Sequence, residues 1–183
     1  MRTVIAMTGA SGSEFGAELV RRAPGDKYLV CSRWGKSVLA QETGLTLEDL
    51  APYAKKVFSN DDLSSPLASG SNPFDAMVIV PCSVSTASKI AQGIADSLIT
   101  RAAAVALKER RKLIICLRET PLSTIVLENL LKLSQSGAII MPLTPSFYQG
   151  AATVKELAAL FADRICQLID PSFETSGWKK DSL

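Results

Sequence analysis

The chain has 183 residues, 47% of them hydrophobic, which is enough for one domain with a substantial core. Lys and Arg number 20 against 18 Asp and Glu, and the net charge of +2 gives no global bias towards nucleic acid or an anionic membrane. Histidine is absent, which excludes Ser-His-Asp hydrolysis, Cys-His catalysis, histidine-bound metals and the commonest general base.

Short β-branched runs alternate with stretches of helical period, which predicts βα units around a mostly parallel sheet. In chain order, a strand at 3–7 leads to a helix at 14–22, and a strand at 27–31 to a helix at 34–43. A strand at 55–58 precedes a polar, turn-rich loop over 60–73. A strand at 76–80 then feeds helices near 84–94 and 97–110. Strands at 113–117 and 138–141 lead to helices at 121–135 and 153–169, with Pro121 opening the first of these. In the last helix Val154, Leu157, Phe161, Ile165 and Leu168 form an apolar stripe. Residues 1–170 read as one domain and 171–183 as a tail.

Cys31, Cys82, Cys116 and Cys166 stand far apart with no CxxC pair, so they read as buried free thiols rather than a zinc or redox motif. No stretch approaches the roughly 18 to 20 apolar residues of a membrane span, and the amino terminus lacks a signal-peptide pattern. A reduced, cytoplasmic protein without metal is the expectation.

In an open α/β sheet ligands lie beyond the carboxyl ends of the strands, so the segments leaving each strand carry the chemistry. The first exit, Thr8-Gly9-Ala10-Ser11-Gly12-Ser13-Glu14-Phe15-Gly16, offers backbone amides and a helix start to an electron-rich group. Its glycines are spaced G-x-x-G-x-x-x-G, so it is not a dinucleotide fingerprint, and it lacks the Lys-Ser/Thr of a P-loop. The second strand ends in Ser32-Arg33 where an NAD enzyme would place an acid; Ser32 suits either a phosphomonoester or a helix N-cap. The exit after 76–80, Pro81-Cys82-Ser83-Val84-Ser85-Thr86-Ala87-Ser88, sets four hydroxyls before a helix, an anion or polar-ring cradle in which capping needs only one. With no histidine to activate it, Cys82 reads as a packing residue.

Residues 101–112 hold Arg101, Lys108, Arg110, Arg111 and Lys112 against Glu109. A solvated helix end explains much of this excess, yet Arg101 and Lys108 share a face with the small Ala104 between them, leaving room for an anion. Arg118-Glu119-Thr120-Pro121 leaves the next strand, and without histidine Glu119 is the best acid/base candidate; an ion pair with Arg101 or Lys108 is the structural alternative. Pro142 and Pro145 stiffen the last exit and bring Tyr148 to the same rim, while Arg164 flanks the apolar stripe of the final helix.

Taken together, Thr8-Gly9-Ala10-Ser11-Gly12, Pro81-Cys82-Ser83-x-x-Thr86, Arg101-Ala102-Ala103, Leu107-Lys108-Glu109-Arg110-Arg111, Arg118-Glu119-Thr120-Pro121-Leu122 and Pro145-x-Phe147-Tyr148 closely resemble the UbiX/Pad1 family of flavin prenyltransferases, in consistent order over about residues 3–170. The resemblance implies a Rossmann-like three-layer α/β fold with a mostly parallel six-stranded sheet. It also implies a flavoprotein that joins a dimethylallyl group from dimethylallyl monophosphate to reduced FMN, at N5 and C6, without metal. The product, prenylated FMN, goes to a UbiD-type decarboxylase, and the family forms large homo-oligomers such as dodecamers with sites shared between subunits.

Carried onto this chain, Gly9, Ala10, Ser11, Ser32, Ser83, Thr86 and Arg118 would contact FMN. Arg101, Lys108, Glu119, Tyr148 and Arg164 would surround the donor phosphate, with Lys108 stabilising the leaving group, Glu119 moving protons and Ser11 assisting ring closure. Ala87, Ser97 and Ala104 depart from the leucine, asparagine and aspartate usual in the family, and Trp178 has too little flanking identity to carry a role across. The rival readings are an FMN-dependent cysteine decarboxylase, whose histidine and asparagine-methionine motif are missing here, and a non-enzymatic flavin carrier, which would not need the cations.

Overall fold

The computed structural model describes residues 1–175, so Trp178 and most of the expected tail lie outside the described residues. Its strands are β1 (Arg2–Met7), β2 (Asp26–Cys31), β3 (Lys56–Ser59), β4 (Ala76–Cys82), β5 (Lys112–Leu117) and β6 (Ile139–Ile140). They form a single sheet of order β3-β2-β1-β4-β5-β6, and every neighbouring pair is parallel. The expected mostly parallel sheet is therefore wholly parallel.

Both faces of such a sheet must be covered by helices, which is why its central strands are apolar without interruption. All seven residues of β4 are buried. Side chains alternate between two cores. Val4 and Ala6 of β1 join Met77, Ile79, Leu113 and Ile115 on one face, while Ile5 and Met7 join Val78, Val80, Ile114 and Cys116 on the other. The first face is covered by α4 (Val84–Ala91), α5 (Leu98–Lys108) and α6 (Thr124–Gln135). The second is covered by α1 (Ser13–Arg22), α2 (Arg33–Thr43), α3 (Leu47–Leu50) and α7 (Val154–Ile169). A two-toothed pair between Arg22 and Asp163, at 2.7 Å on both arms, ties α1 to α7.

Several local expectations need correcting. The helix after β5 starts at Thr124, where the Ser123 side chain accepts the Val126 amide, and not at Pro121. In α7 the buried stripe runs through Ala158, Phe161, Ala162, Ile165, Cys166 and Ile169, and Val154 is 65% exposed. Small residues let α7 lie close to α1, so the packed face turns away from the larger Val154. The last strand keeps two paired residues where four were expected, and α3 had no counterpart in the sequence reading.

The strand order reverses between β1 and β4, and there the carboxyl ends of two adjacent strands diverge to opposite faces. Thr8 leaves β1 and Ser83 leaves β4 at that point. The Thr8 hydroxyl donates to the Pro81 carbonyl at 2.9 Å and accepts the Ser83 amide at 2.8 Å.

Candidate functional site

Three of the serine-capped helices open onto one cleft at the carboxyl edge. Ser32 accepts the Gly35 amide at 3.0 Å, Ser83 accepts that of Thr86 at 3.3 Å, and Ser97 accepts that of Thr100 at 3.3 Å. All three serines line one cleft of about 400 Å³, together with Gly9, Thr86 and Lys89. Each helix start carries partial positive charge, so three of them at one cleft favour an anion, with Lys89 and Asp96 both in the wall. Capping and ligand binding were alternatives for Ser32 and Ser83; here the capping bonds use one lone pair of each, Ser32 keeps its donor for a guest, and the Ser83 and Thr86 hydroxyls, 3.0 Å apart, keep one donor between them. Lys89 is held by Asp96 at 2.6 Å.

Gly9 owes its identity to packing. A side chain there would start 2.5 Å from the Cβ of Trp34, so only glycine allows α2 to approach the first exit this closely.

Beyond Gly9 the first exit faces a second cleft, of about 360 Å³, lined by Ser11, Gly12, Phe15, Glu42, Arg118 and Leu143 among others. Glu42 is the residue that sequence reasoning missed. From α2 its carboxylate accepts the Gly12 amide at 2.9 Å and the Ser13 amide at 2.8 Å, covering the start of α1. Burial pushes the Glu42 carboxyl upwards, but hydrogen bonds from the Ser11 hydroxyl and the Ser13 and Gly12 amides outweigh it and hold the group below the usual carboxylate range. It is an ionised acceptor in contact with a serine hydroxyl, able to take or return a proton through Ser11. Its carboxylate also fills the helix start that would otherwise bind a phosphate, which leaves the serine-capped cleft as the better anion site. The only sequence signal was an acid on the helix after Ser32, one residue from its end.

The remaining candidates are divided. Tyr148 and Arg164 line a third cleft of about 390 Å³, between the last exit and α7. Arg164 donates to Gln167 at 3.1 Å. Arg101 and Lys108 belong to α5, on the opposite face of the sheet. Arg101 is half-buried and its Nε donates to the Ala68 carbonyl at 2.9 Å. Lys108 is exposed at the far end of α5 and pairs with Glu109. Arg111 holds the carbonyls of Gly70 at 2.5 Å and Asn72 at 3.2 Å, so part of the basic excess fastens the 60–73 loop. Glu119 is exposed and accepts its neighbour Thr120's amide at 2.9 Å; among the described residues no ion pair joins it to Arg101 or Lys108.

The four thiols are buried and free, and burial raises those of Cys31, Cys82 and Cys166 to about 12, which makes them inert. Among the described residues no three His, Cys, Asp or Glu side chains gather as a metal site.

The residues present fit a flavin mononucleotide: hydroxyl donors and helix starts for a phosphate on one side of the first exit, and a polar pair against apolar walls on the other. The model of the Flavoprotein family matches residues 1–169. The flavin prenyltransferase UbiX of Thermoplasma acidophilum is 46% identical over 170 residues, which cover 92% of this chain and 94% of that one. Among solved structures, AnUbiX (PadA1) in complex with FMN and dimethylallyl pyrophosphate superposes with a TM-score of 0.90 at 38% identity, covering 97% of this chain and 98% of that chain. A dodecameric FMN-dependent UbiX-like decarboxylase from Escherichia coli gives 0.89 at 37% identity, covering 96% and 100%. With a serine-lined anion cleft beside the first exit and likeness of this extent along nearly its whole length, the chain belongs to the UbiX flavin prenyltransferases of the Flavoprotein family.

Proposed function

We propose that this protein transfers a dimethylallyl group from dimethylallyl monophosphate to reduced FMN, bonding first at N5 and then at C6, and that a UbiD-type decarboxylase receives the prenylated flavin. The observation that carries this reading is the pair of clefts flanking the first exit. Ser32, Ser83, Thr86 and Lys89 hold the FMN phosphate in the first. Gly9 and Ala10 pass beneath the flavin, and its ring reaches towards Ser11 and Arg118 in the second.

Reduced FMN supplies an electron-rich nitrogen and ring carbon as nucleophiles. The chain's part is to draw the electron pair of the breaking carbon–oxygen bond onto phosphate, which cations do by stabilising the leaving charge. Arg118, Tyr148 and Arg164 serve this in one subunit. Arg101 and Lys108, on the other face of the sheet, serve it from a neighbouring copy, so the site is complete only in a homo-oligomer; the dodecameric relative supports such an assembly. Glu42 and Ser11 handle the proton lost during ring closure, and Glu119 a proton at the phosphate.

Residues 1–170 act as one flavin-binding domain, with the rest as a tail. The four reduced thiols fit a cytoplasmic location, and among the described residues no helix is long and apolar enough to cross a membrane.

The test is anaerobic incubation with reduced FMN and dimethylallyl monophosphate, read by mass spectrometry of the extracted flavin. A flavin heavier by one five-carbon prenyl group is expected. An unchanged flavin on folded, FMN-loaded protein would leave a flavin carrier instead.

A further inference from the structure

Arg164 shares its cleft with an acid. Among the described residues that line it, two carry charge, Asp163 and Arg164, and they are consecutive on α7. Taken alone, one cation and one anion leave the wall without net charge. A phosphate brought to Arg164 would then meet a carboxylate beside it, and like charges repel.

Arg22 changes that balance from outside the cleft, which it does not line. From the end of α1 it grips Asp163 with two parallel bonds, Nε to Oδ1 and Nη2 to Oδ2, both 2.7 Å long. This is the strongest geometry that an arginine offers a carboxylate. The Asp163 side chain is 17% exposed, so water would screen it poorly if Arg22 were gone. Glu18, on the preceding turn of α1, is taken by Arg21 at 2.7 Å and leaves Arg22 to Asp163. With Asp163 cancelled, Arg164 becomes the net charge of the wall. Arg164 itself is held differently: it donates to the Gln167 amide oxygen at 3.1 Å, one turn along α7, and that neutral partner orients the guanidinium without cancelling it.

We propose that Arg22 is a positioning residue for the donor phosphate: by holding Asp163 it gives the cleft a net positive charge and keeps the carboxylate from repelling the phosphate that Arg164 binds. The proposal rests on the prenyl-transfer reading and deepens it.

Two substitutions break the same pair with opposite electrical results. Arg22→Met removes the cation and leaves a bare carboxylate at the cleft. Asp163→Asn removes the carboxylate and leaves a spare cation behind it. The experiment measures kcat/KM for dimethylallyl monophosphate with reduced FMN, read from flavin mass, in the wild type and both variants at low and high salt. Retention of FMN on gel filtration reports that each variant is folded. In Arg22→Met the value is expected to fall by about three- to tenfold, the effect of one uncancelled charge several ångströms away. In Asp163→Asn it should hold or rise, and salt should narrow the gap between the two variants. A merely structural role, the pair tying α1 to α7, would lower both variants alike at every salt concentration. Equal falls in both, or no fall in Arg22→Met, would overturn the role of Arg22, while five-carbon transfer by the wild type spares the prenyl-transfer reading. If Arg22→Met fails to fold, Asp163→Asn decides alone, because a fall there contradicts the proposal and an equal or higher value supports it. A wild type that transfers no prenyl group overturns the reading itself, and this proposal with it.

Discussion

Thr8 bonds through one hydroxyl to both ends of the Pro81-Cys82-Ser83 step, donating to the Pro81 carbonyl at 2.9 Å and accepting the Ser83 amide at 2.8 Å. The side chain is almost fully buried, so water cannot replace either bond. Thr8→Val keeps the shape and strands a buried amide, which costs about 1–3 kcal/mol. Because that amide orients Ser83 at the anion cleft, FMN affinity should fall along with the denaturation midpoint. Thr8→Ser should preserve both. Chemical denaturation with FMN titration checks this, and Thr8→Val behaving as wild type in both assays would remove Thr8 from the site's framework.

Lys89 allows stability and ligand binding to be separated. Its pair with Asp96 is well exposed on both sides, and such pairs contribute about 0–1 kcal/mol. Lys89→Met should therefore leave the thermal midpoint almost unmoved. At the cleft, the same change removes a cation facing a phosphate, and a charge-assisted hydrogen bond is worth about 1.5–3 kcal/mol, so the FMN dissociation constant should rise by about tenfold or more. Equal FMN affinity in the variant would place the phosphate elsewhere.

How far the sequence could be read follows from where each interaction lies. The strands were legible because a parallel sheet buried on both faces demands apolar runs, and Ala76–Cys82 is one. Ser32 and Ser83 were readable as caps because each is local to its helix, whereas Ser97 and Ser123 were not read as caps. Glu42 was hidden, since its partners Gly12 and Ser13 lie about thirty residues away and no spacing rule links α2 to the start of α1. Arg101 and Lys108 were readable as one helical face, but not as a face turned away from Arg164. A helix rises about 1.5 Å per residue, so the two cations are about 10 Å apart along α5. Which side of the sheet that helix covers depends on topology, not on periodicity.

Glu42 gives a pH dependence with a defined sign. Its folded-state carboxyl titrates below the usual carboxylate range, so its cap on α1 contributes stability that is fully present above the unfolded value and is lost as pH falls through the depressed folded one. Glu42→Gln should flatten this part of the acid limb, and a wild-type melting curve that stays parallel to the variant's down to strongly acidic pH would contradict it. The same variant should also slow flavin ring closure if the Glu42–Ser11 contact moves a proton, and solvent isotope effects on single turnovers would show this.

Arg110 follows the Glu109 cap of α5 with φ 57°, the one non-glycine residue in the left-handed region among those described. An exposed arginine gains nothing from that conformation and glycine adopts it freely. Arg110→Gly should raise stability by about 0.5–1 kcal/mol, after allowance for the more flexible unfolded chain. Thermal melts at fixed protein concentration measure it, and a loss of stability would mean that the guanidinium holds a contact between subunits.

The last prediction concerns the division of the cations. Arg101 lies on the α4-α5-α6 face, fastened to the Ala68 carbonyl, and Arg164 lines the cleft beside α7 on the other face, so the two stand apart within one chain. If both act on one donor phosphate, each site draws them from different copies. Arg101→Ala and Arg164→Ala should each lose about 10²-fold or more in transfer rate, in keeping with the removal of one group that stabilises the leaving charge. Co-assembled from a mixture, the two inactive variants should recover activity, because some sites then receive an intact residue from each partner. A doubly substituted chain mixed with wild type gives the reference for random assembly. Recovery no greater than the sum of the separate variants would mean that Arg101 and Arg164 do not meet at one site, and that the donor phosphate is held by the residues of a single subunit.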